Sequence, residues 1–206
     1  RHAGSLREGR TSLPMSGRFR RYTTEELVAS RPAPRRRRTS RLPVVILLDN
    51  VRSAHNVGLV FRLADCVNVR ALWLAGITSW PGSSERATNR ITKTGVGGSL
   101  DVVAWRHLVD PVPAVKRLRT RGWRVVVMEQ GEGSVPWRRA DLGLPLVLVL
   151  GHEREGVRDG LIDVADEIVD LPVRGITNSL NVALCASAVL YEILGRSEGS
   201  SGRRPQ

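Results

Sequence analysis

The segment IVDLPVRGITNSLNVALCASAVLYEILG, Ile168 to Gly195, decides how the rest of the chain reads. It opens as a short apolar strand, Ile168 to Leu171, and breaks at Pro172, a residue without the N–H a sheet ladder needs. A polar loop follows, with Arg174, Gly175, Thr177, Asn178, Ser179 and Asn181. From Val182 to Leu190 the chain is apolar on nearly every face, the pattern of a buried helix. Ser179, just ahead of it, is the expected N-cap. A polar loop held between a buried strand and a buried helix needs partners, because each unpaired group costs about 1–3 kcal/mol. In an open α/β sheet the space beyond the carboxyl end of a strand is also where ligands bind. Taken alone, the loop serves equally well as a helix cap or as a ligand site.

Working outward, the same alternation recurs. Val44–Leu48 and Leu146–Leu150 are continuous apolar runs, as in strands buried on both faces. Ala71–Leu74, Val102–Trp105 and Arg124–Met128 are further strands. Helical patterns lie at Leu59–Val67, Ala87–Thr92, Pro113–Arg119 and Leu161–Ala165. Strand and helix alternate throughout. The expected fold class is therefore α/β, a mostly parallel six-stranded sheet with helices on both faces.

Charge divides the chain. Residues 1–42 hold twelve Arg and no Lys against Glu8, Glu25 and Glu26, a net +9 of the +12 overall. This basic stretch reads as a largely disordered arm with one short helix, Thr24–Ala29, and a phosphate-binding clamp at Arg35, Arg36, Arg37 and Arg38. The domain proper is expected over 43–196, with a disordered tail at 197–206. Such an arm points to a polyanion, although a solubilising tail is the plainer alternative. Cys66 and Cys185 sit in apolar helical patterns and read as core residues in a reducing cytoplasm, not as a disulfide or metal pair. No run is long and apolar enough for a membrane span. The chain starts at Arg1, and Met15 is a candidate native start.

Three polar clusters fall at the ends of buried strands: Asn56–Gly58 with Arg62, Gly151–Gly156, and the opening loop. There is no GxxxxGK[ST] loop, no GxGxxG spacing, no GxSxG elbow and no zinc-ligand spacing. Those absences exclude an ordinary nucleotide-binding Rossmann unit, a serine hydrolase and a zinc site.

The clusters Asn56-x-Gly58-x-x-x-Arg62, LVLGHEREGV (Leu148–Val157) and LPVRGITNSLNVA (Leu171–Ala183) resemble, in order, the three motifs of the SpoU/TrmH family. These are the RNA ribose 2′-O-methyltransferases of the SPOUT superfamily. The likeness covers residues 43–196, and the Glu129–Gln130 pair resembles the branch that modifies the tRNA D-loop. The chain has Leu171–Pro172–Val173 where many relatives have Ile-Pro-Met, and Ala183 where many have serine.

The resemblance implies a C-terminal trefoil knot, a homodimer and S-adenosylmethionine as methyl donor, with no metal. It places donor contacts at Gly151, Leu171 and Leu180, with Met128 as an addition. It carries the catalytic roles to Asn56, Arg62, Glu153, Ser179 and Asn181. A ribose hydroxyl is a poor nucleophile until its proton leaves or its developing charge is stabilised. Arg62, protonated throughout the working pH range, suits an electrostatic clamp with a separate proton acceptor. Glu153 would orient Asn56 or Arg62, while Ser179 and Asn181 would place the ribose. Plainer roles are a surface ion pair for Arg62, a helix cap for Asn56 and a loop charge for Glu153. The implied substrate is structured RNA, tRNA ahead of rRNA. The alternatives are a base-methylating SPOUT enzyme or a catalytically idle RNA-binding protein on the same fold.

Overall fold

A computed structural model of the chain describes residues 20, 22–30, 41–95 and 98–201. The Arg35–Arg38 clamp lies outside the described residues. The elements run α1 (Thr24–Ala29), β1 (Leu42–Asp49), α2 (Ala54–Cys66), β2 (Val69–Ala75), α3 (Glu85–Gly95), α4 (Ser99–Val102) and β3 (Trp105–Leu108). They continue α5 (Val112–Arg119), β4 (Arg124–Met128), β5 (Val135–Pro136), β6 (Leu146–Leu150), α6 (Asp159–Ile162), β7 (Glu167–Asp170) and α7 (Val182–Ser201).

The sheet has seven strands in the order β3-β2-β1-β6-β4-β7-β5, and every pairing is parallel. The expectation of six strands missed β5. It is only Val135–Pro136, and an outer strand two residues long that contains proline carries no apolar alternation to read. The third strand is also displaced. Val102 ends a helical turn that begins after Gly98, which is at φ +78°, and the strand itself is Trp105–Leu108. Its WRHL sequence is half polar because it forms the other edge of the sheet. Helix α7 runs to Ser201, past the expected domain end at 196.

Alternate residues of β1 show how the layers are built. Val44, Ile46 and Leu48 pack with α2 and α7 through Val57, Val60, Phe61, Val189 and Leu190. Val45 and Leu47 face the opposite layer, with Val115 of α5 and Leu161 of α6. Period-two alternation along a buried strand thus feeds both faces.

Register brings the strand ends together. Leu48 pairs with Leu150, Leu150 with Met128, and Met128 with Val169. In a parallel sheet these are all carboxyl ends, so the loops after β1, β4, β6 and β7 open on one edge. That edge carries the described residues expected at the catalytic and donor sites, Arg62 excepted.

Candidate active site

A cleft at this edge is lined by Met128, Gly151, Leu171 and Leu180, the four positions expected to contact the methyl donor, with Glu153 and Ser179 beside them. Its wall is main chain. His152 and Gly156 exchange two backbone hydrogen bonds of 3.0 Å, closing the loop between them on itself. Gly151 has no room for a side chain: a Cβ there would stand 2.4 Å from the Gly156 carbonyl carbon and 2.5 Å from Val157 N. The Glu129 carboxylate holds this loop from the neighbouring strand, accepting from the N–H of Val157 at 3.1 Å and of Gln130 at 3.0 Å.

Asp170, at the end of β7, lines the same cleft, and its Oδ1 is buried without a hydrogen-bond partner in the structure. An orphaned buried acceptor is costly and calls for a donor from outside the chain. An adenosylmethionine group, with its amino and hydroxyl donors, fits such a site. Burial pushes the Cys185 thiol up, and its Sγ meets the Leu180 carbonyl at 3.5 Å. A thiol held protonated is a wall of the cleft and a poor nucleophile.

At the mouth of the cleft the three motifs meet in one hydrogen-bonded chain. Asn56 is 6% exposed. Its Nδ2 donates to Glu153 Oε1 at 2.8 Å, and its Oδ1 accepts from Asn181 Nδ2 at 3.1 Å. A carboxylate only accepts, so Glu153 turns the Asn56 amide and leaves its oxygen for Asn181. The plainer role for Asn56 does not hold, because Ser53 caps α2, its Oγ accepting from Asn56 N at 3.2 Å. Ser179 is not the cap of α7 either. Asn181 takes that place, its Oδ1 accepting from Ala183 N at 2.9 Å. Helix α1 is capped by Thr23, whose side chain accepts from Glu26 N.

The end of β1 is locked to the residue just after motif two by an ion pair that sequence reasoning missed. Asp49 is fully buried at the end of β1. Its carboxylate accepts from Arg158 N at 3.0 Å and Arg158 Nε at 2.8 Å, and also meets Nη2. Glu129, Asp170 and Asp49 share one signal, an acid immediately after the apolar residues that end a strand.

Arg62 stands apart. It is exposed on α2 and lines a groove with Leu59, Leu63, Leu184 and Tyr191, and it is not among the residues lining the cleft. It makes no hydrogen bond or ion pair with the described residues, so the surface-pair role is not supported. Of the five expected catalytic residues, the structure joins Asn56, Glu153 and Asn181, sets Ser179 in the cleft wall, and leaves Arg62 outside. No group of metal-ligating side chains occurs among the described residues. No helix there is long and apolar enough to cross a membrane.

The fold and site have known counterparts. The model of the SpoU rRNA Methylase family matches residues 43–191. A tRNA (guanosine(18)-2′-O)-methyltransferase of Aquifex aeolicus is 30% identical over 149 residues, 72% of this chain and 67% of that protein. A 23S rRNA (guanosine-2′-O-)-methyltransferase of Pseudomonas aeruginosa is 30% identical, covering 76% of this chain and 60% of its own length. This chain thus spans about two thirds of the length of these relatives. The crystal structure of the A. aeolicus TrmH/SpoU tRNA modifying enzyme matches with a TM-score of 0.67 at 27% identity, over 82% of this chain and 84% of that one. An AdoMet-bound rRNA methyltransferase from Sinorhizobium meliloti matches with a TM-score of 0.65 at 25% identity, over 74% and 56%. The chain belongs to the SpoU rRNA methylase family.

Proposed function

We propose that the chain transfers a methyl group from S-adenosylmethionine to a ribose 2′-hydroxyl of structured RNA, with tRNA favoured over rRNA. The observation that carries this reading is the Glu153–Asn56–Asn181 chain at the mouth of a cleft lined by the four expected donor contacts. The sulfonium of the bound donor supplies an activated methyl carbon, and the 2′-oxygen displaces the thioether from it. The protein's part is placement and charge. The Gly151–Gly156 loop and Asp170 hold the donor, and the amides of Asn56 and Asn181, with Ser179, position the ribose. Arg62 stabilises negative charge developing on the 2′-oxygen as its proton passes to a separate acceptor.

Arg62 lines a groove other than the cleft of its own chain, which supports a second expectation, a homodimer. Its groove between α2 and α7 is apolar, with Leu184 and Tyr191 each 55% exposed. A partner packed on this face would cover that surface and take Arg62 toward its own cleft. The tRNA preference rests on the A. aeolicus relative and on the Glu129–Gln130 pair. The basic arm over 1–42, the domain over 43–196, the trefoil knot and a cytoplasmic setting belong to the same reading. The position of β6 between β1 and β4 is compatible with the knot.

The test is transfer of labelled methyl to unmodified tRNA and rRNA transcripts, followed by nuclease mapping of the product. Label on a ribose of tRNA supports the reading, and label on a base would replace it with base methylation. Light scattering at micromolar concentration should give a dimer, and a fully active monomer would remove the role given to Arg62.

A further inference from the structure

Beside the Asn56 site lies a second groove, between the start of α2 and the length of α3, lined by Arg52, His55, Arg86, Asn89, Arg90 and Lys93. Its walls are fixed. The two helices touch at Gly58, where a Cβ would meet Thr94 Cβ at 2.7 Å and the Ile91 carbonyl at 2.8 Å. His55 Nδ1 bonds Thr94 Oγ1 across the crossing at 3.2 Å.

The charge of this groove is unbalanced. Arg52 approaches Glu155 at 3.8 Å, but Arg86, Arg90 and Lys93 make no hydrogen bond or ion pair with the described residues. All three are exposed, at positions i, i+4 and i+7 of one helix. Like charges at such spacings destabilise a helix by about 0.2–0.5 kcal/mol per pair, a cost with no return inside the fold. They form a row about 10 Å long at 1.5 Å of rise per residue, which suits a chain of repeated negative charges better than a single anion. The row also leads to the chemistry. Arg52 and His55 precede Asn56, and Glu155 belongs to the loop that carries Glu153.

We propose that the α2–α3 groove is a phosphate track, holding the sugar–phosphate backbone of the substrate RNA next to the ribose presented at Asn56. This inference rests on the RNA-methylation reading and deepens it by giving the RNA a binding surface within the folded domain, separate from the arginine arm. Contacts of this kind fix register and orientation without reading sequence.

The test compares the full chain with Arg86→Ala/Arg90→Ala/Lys93→Ala and with a control, Lys116→Ala/Arg117→Ala/Arg121→Ala. The control removes the same charge from exposed positions on and beside α5, across the sheet. Affinity for an unmodified tRNA transcript is measured by fluorescence anisotropy over a salt series, with methyl-donor binding by calorimetry. Alanine favours a helix, so the groove variant should fold. Each lost phosphate contact should lower the log–log salt slope by about 0.7–0.9, or roughly 2–3 for the triple variant, with affinity down about tenfold or more. Donor affinity should be unchanged, and the KM for RNA should rise while kcat holds. Restoring charge with Arg86→Lys/Arg90→Lys alone should leave the slope near wild type. An unaltered slope in the groove variant, or an equal fall in the control, would overturn the track. The methylation reading fails separately, if the wild-type chain binds RNA through the groove but transfers no methyl.

Discussion

The cleft and the face around Arg62 both draw on residues of the motifs, yet one is closed within a single chain and the other is open. In the cleft, Gly151–Gly156 is closed on itself, braced by Glu129, and tied to β1 through Arg158 and Asp49. On the α2–α7 face, Arg62 has no partner among the described residues, and Leu184 and Tyr191 stand out from the helix. The difference teaches that main-chain geometry can complete a binding site alone, whereas a lone exposed cation beside apolar surface waits for a second molecule.

The widest gap between the two regions should open when the lock of the cleft is removed. Arg158→Ala leaves Asp49, a carboxylate with no exposure, only the backbone N–H of residue 158, and breaking such a buried pair typically costs about 3–5 kcal/mol. Denaturant unfolding should show that loss, and a variant of near wild-type stability would mean that the pair is not what holds the end of β1 to the loop after β6.

Arg62→Ala probes the open face. Turnover in single-turnover transfer should fall by about 2.7–4 kcal/mol, roughly a hundred- to thousand-fold, as for one preorganised charge stabiliser. Calorimetric donor affinity should stay put, because Arg62 does not line the cleft. Arg62→Lys should rescue little if two contacts from the planar fork matter. Loss of donor affinity alongside turnover would erase the contrast and make Arg62 a structural residue.

Gly151→Ala acts on the cleft wall itself. Its new Cβ would press on Gly156 and Val157 main chain, which cannot swing aside as a side chain can. Overpacking of this kind costs about 1–3 kcal/mol, and it should appear as weaker donor binding with RNA affinity retained. Donor binding at wild-type strength would show the loop to be looser than its hydrogen bonds imply.

The smallest effect is reserved for Glu153→Gln, which keeps the shape of the Asn56 contact and removes its charge. A charged hydrogen bond exceeds a neutral one by about 1 kcal/mol, so turnover should drop by roughly fivefold. A drop as large as that of Arg62→Ala would give Glu153 a direct part in the proton's departure.

Much of this was legible before the fold was known, and for uneven reasons. The β1 and β6 runs are apolar because both faces of those strands are buried, so composition alone located them. Gly151, Leu171 and Leu180, carried over by motif, line one cleft together with the added Met128, because strand ends in one register must share an edge. The edge strands were harder. Trp105–Leu108 and Val135–Pro136 are half-exposed or two residues long, and neither leaves a period. The Asp49–Arg158 pair joins positions 109 residues apart, a link no local pattern contains. Ser179 misled as a cap because the turn extends two residues further, to Asn181.

The chain of amides at the active site has a direction, and it is written twice. At one end Glu153 can only receive a proton, and at the other the Ala183 N–H can only offer one. Asn56 and Asn181 lie between these two fixed poles, like compass needles set in line by magnets at both ends. Either amide reversed would face donor to donor or acceptor to acceptor at a neighbour. The polarity of this surface was therefore settled when the strands and α7 came together, and under the proposed function a ribose placed here would meet signs already chosen.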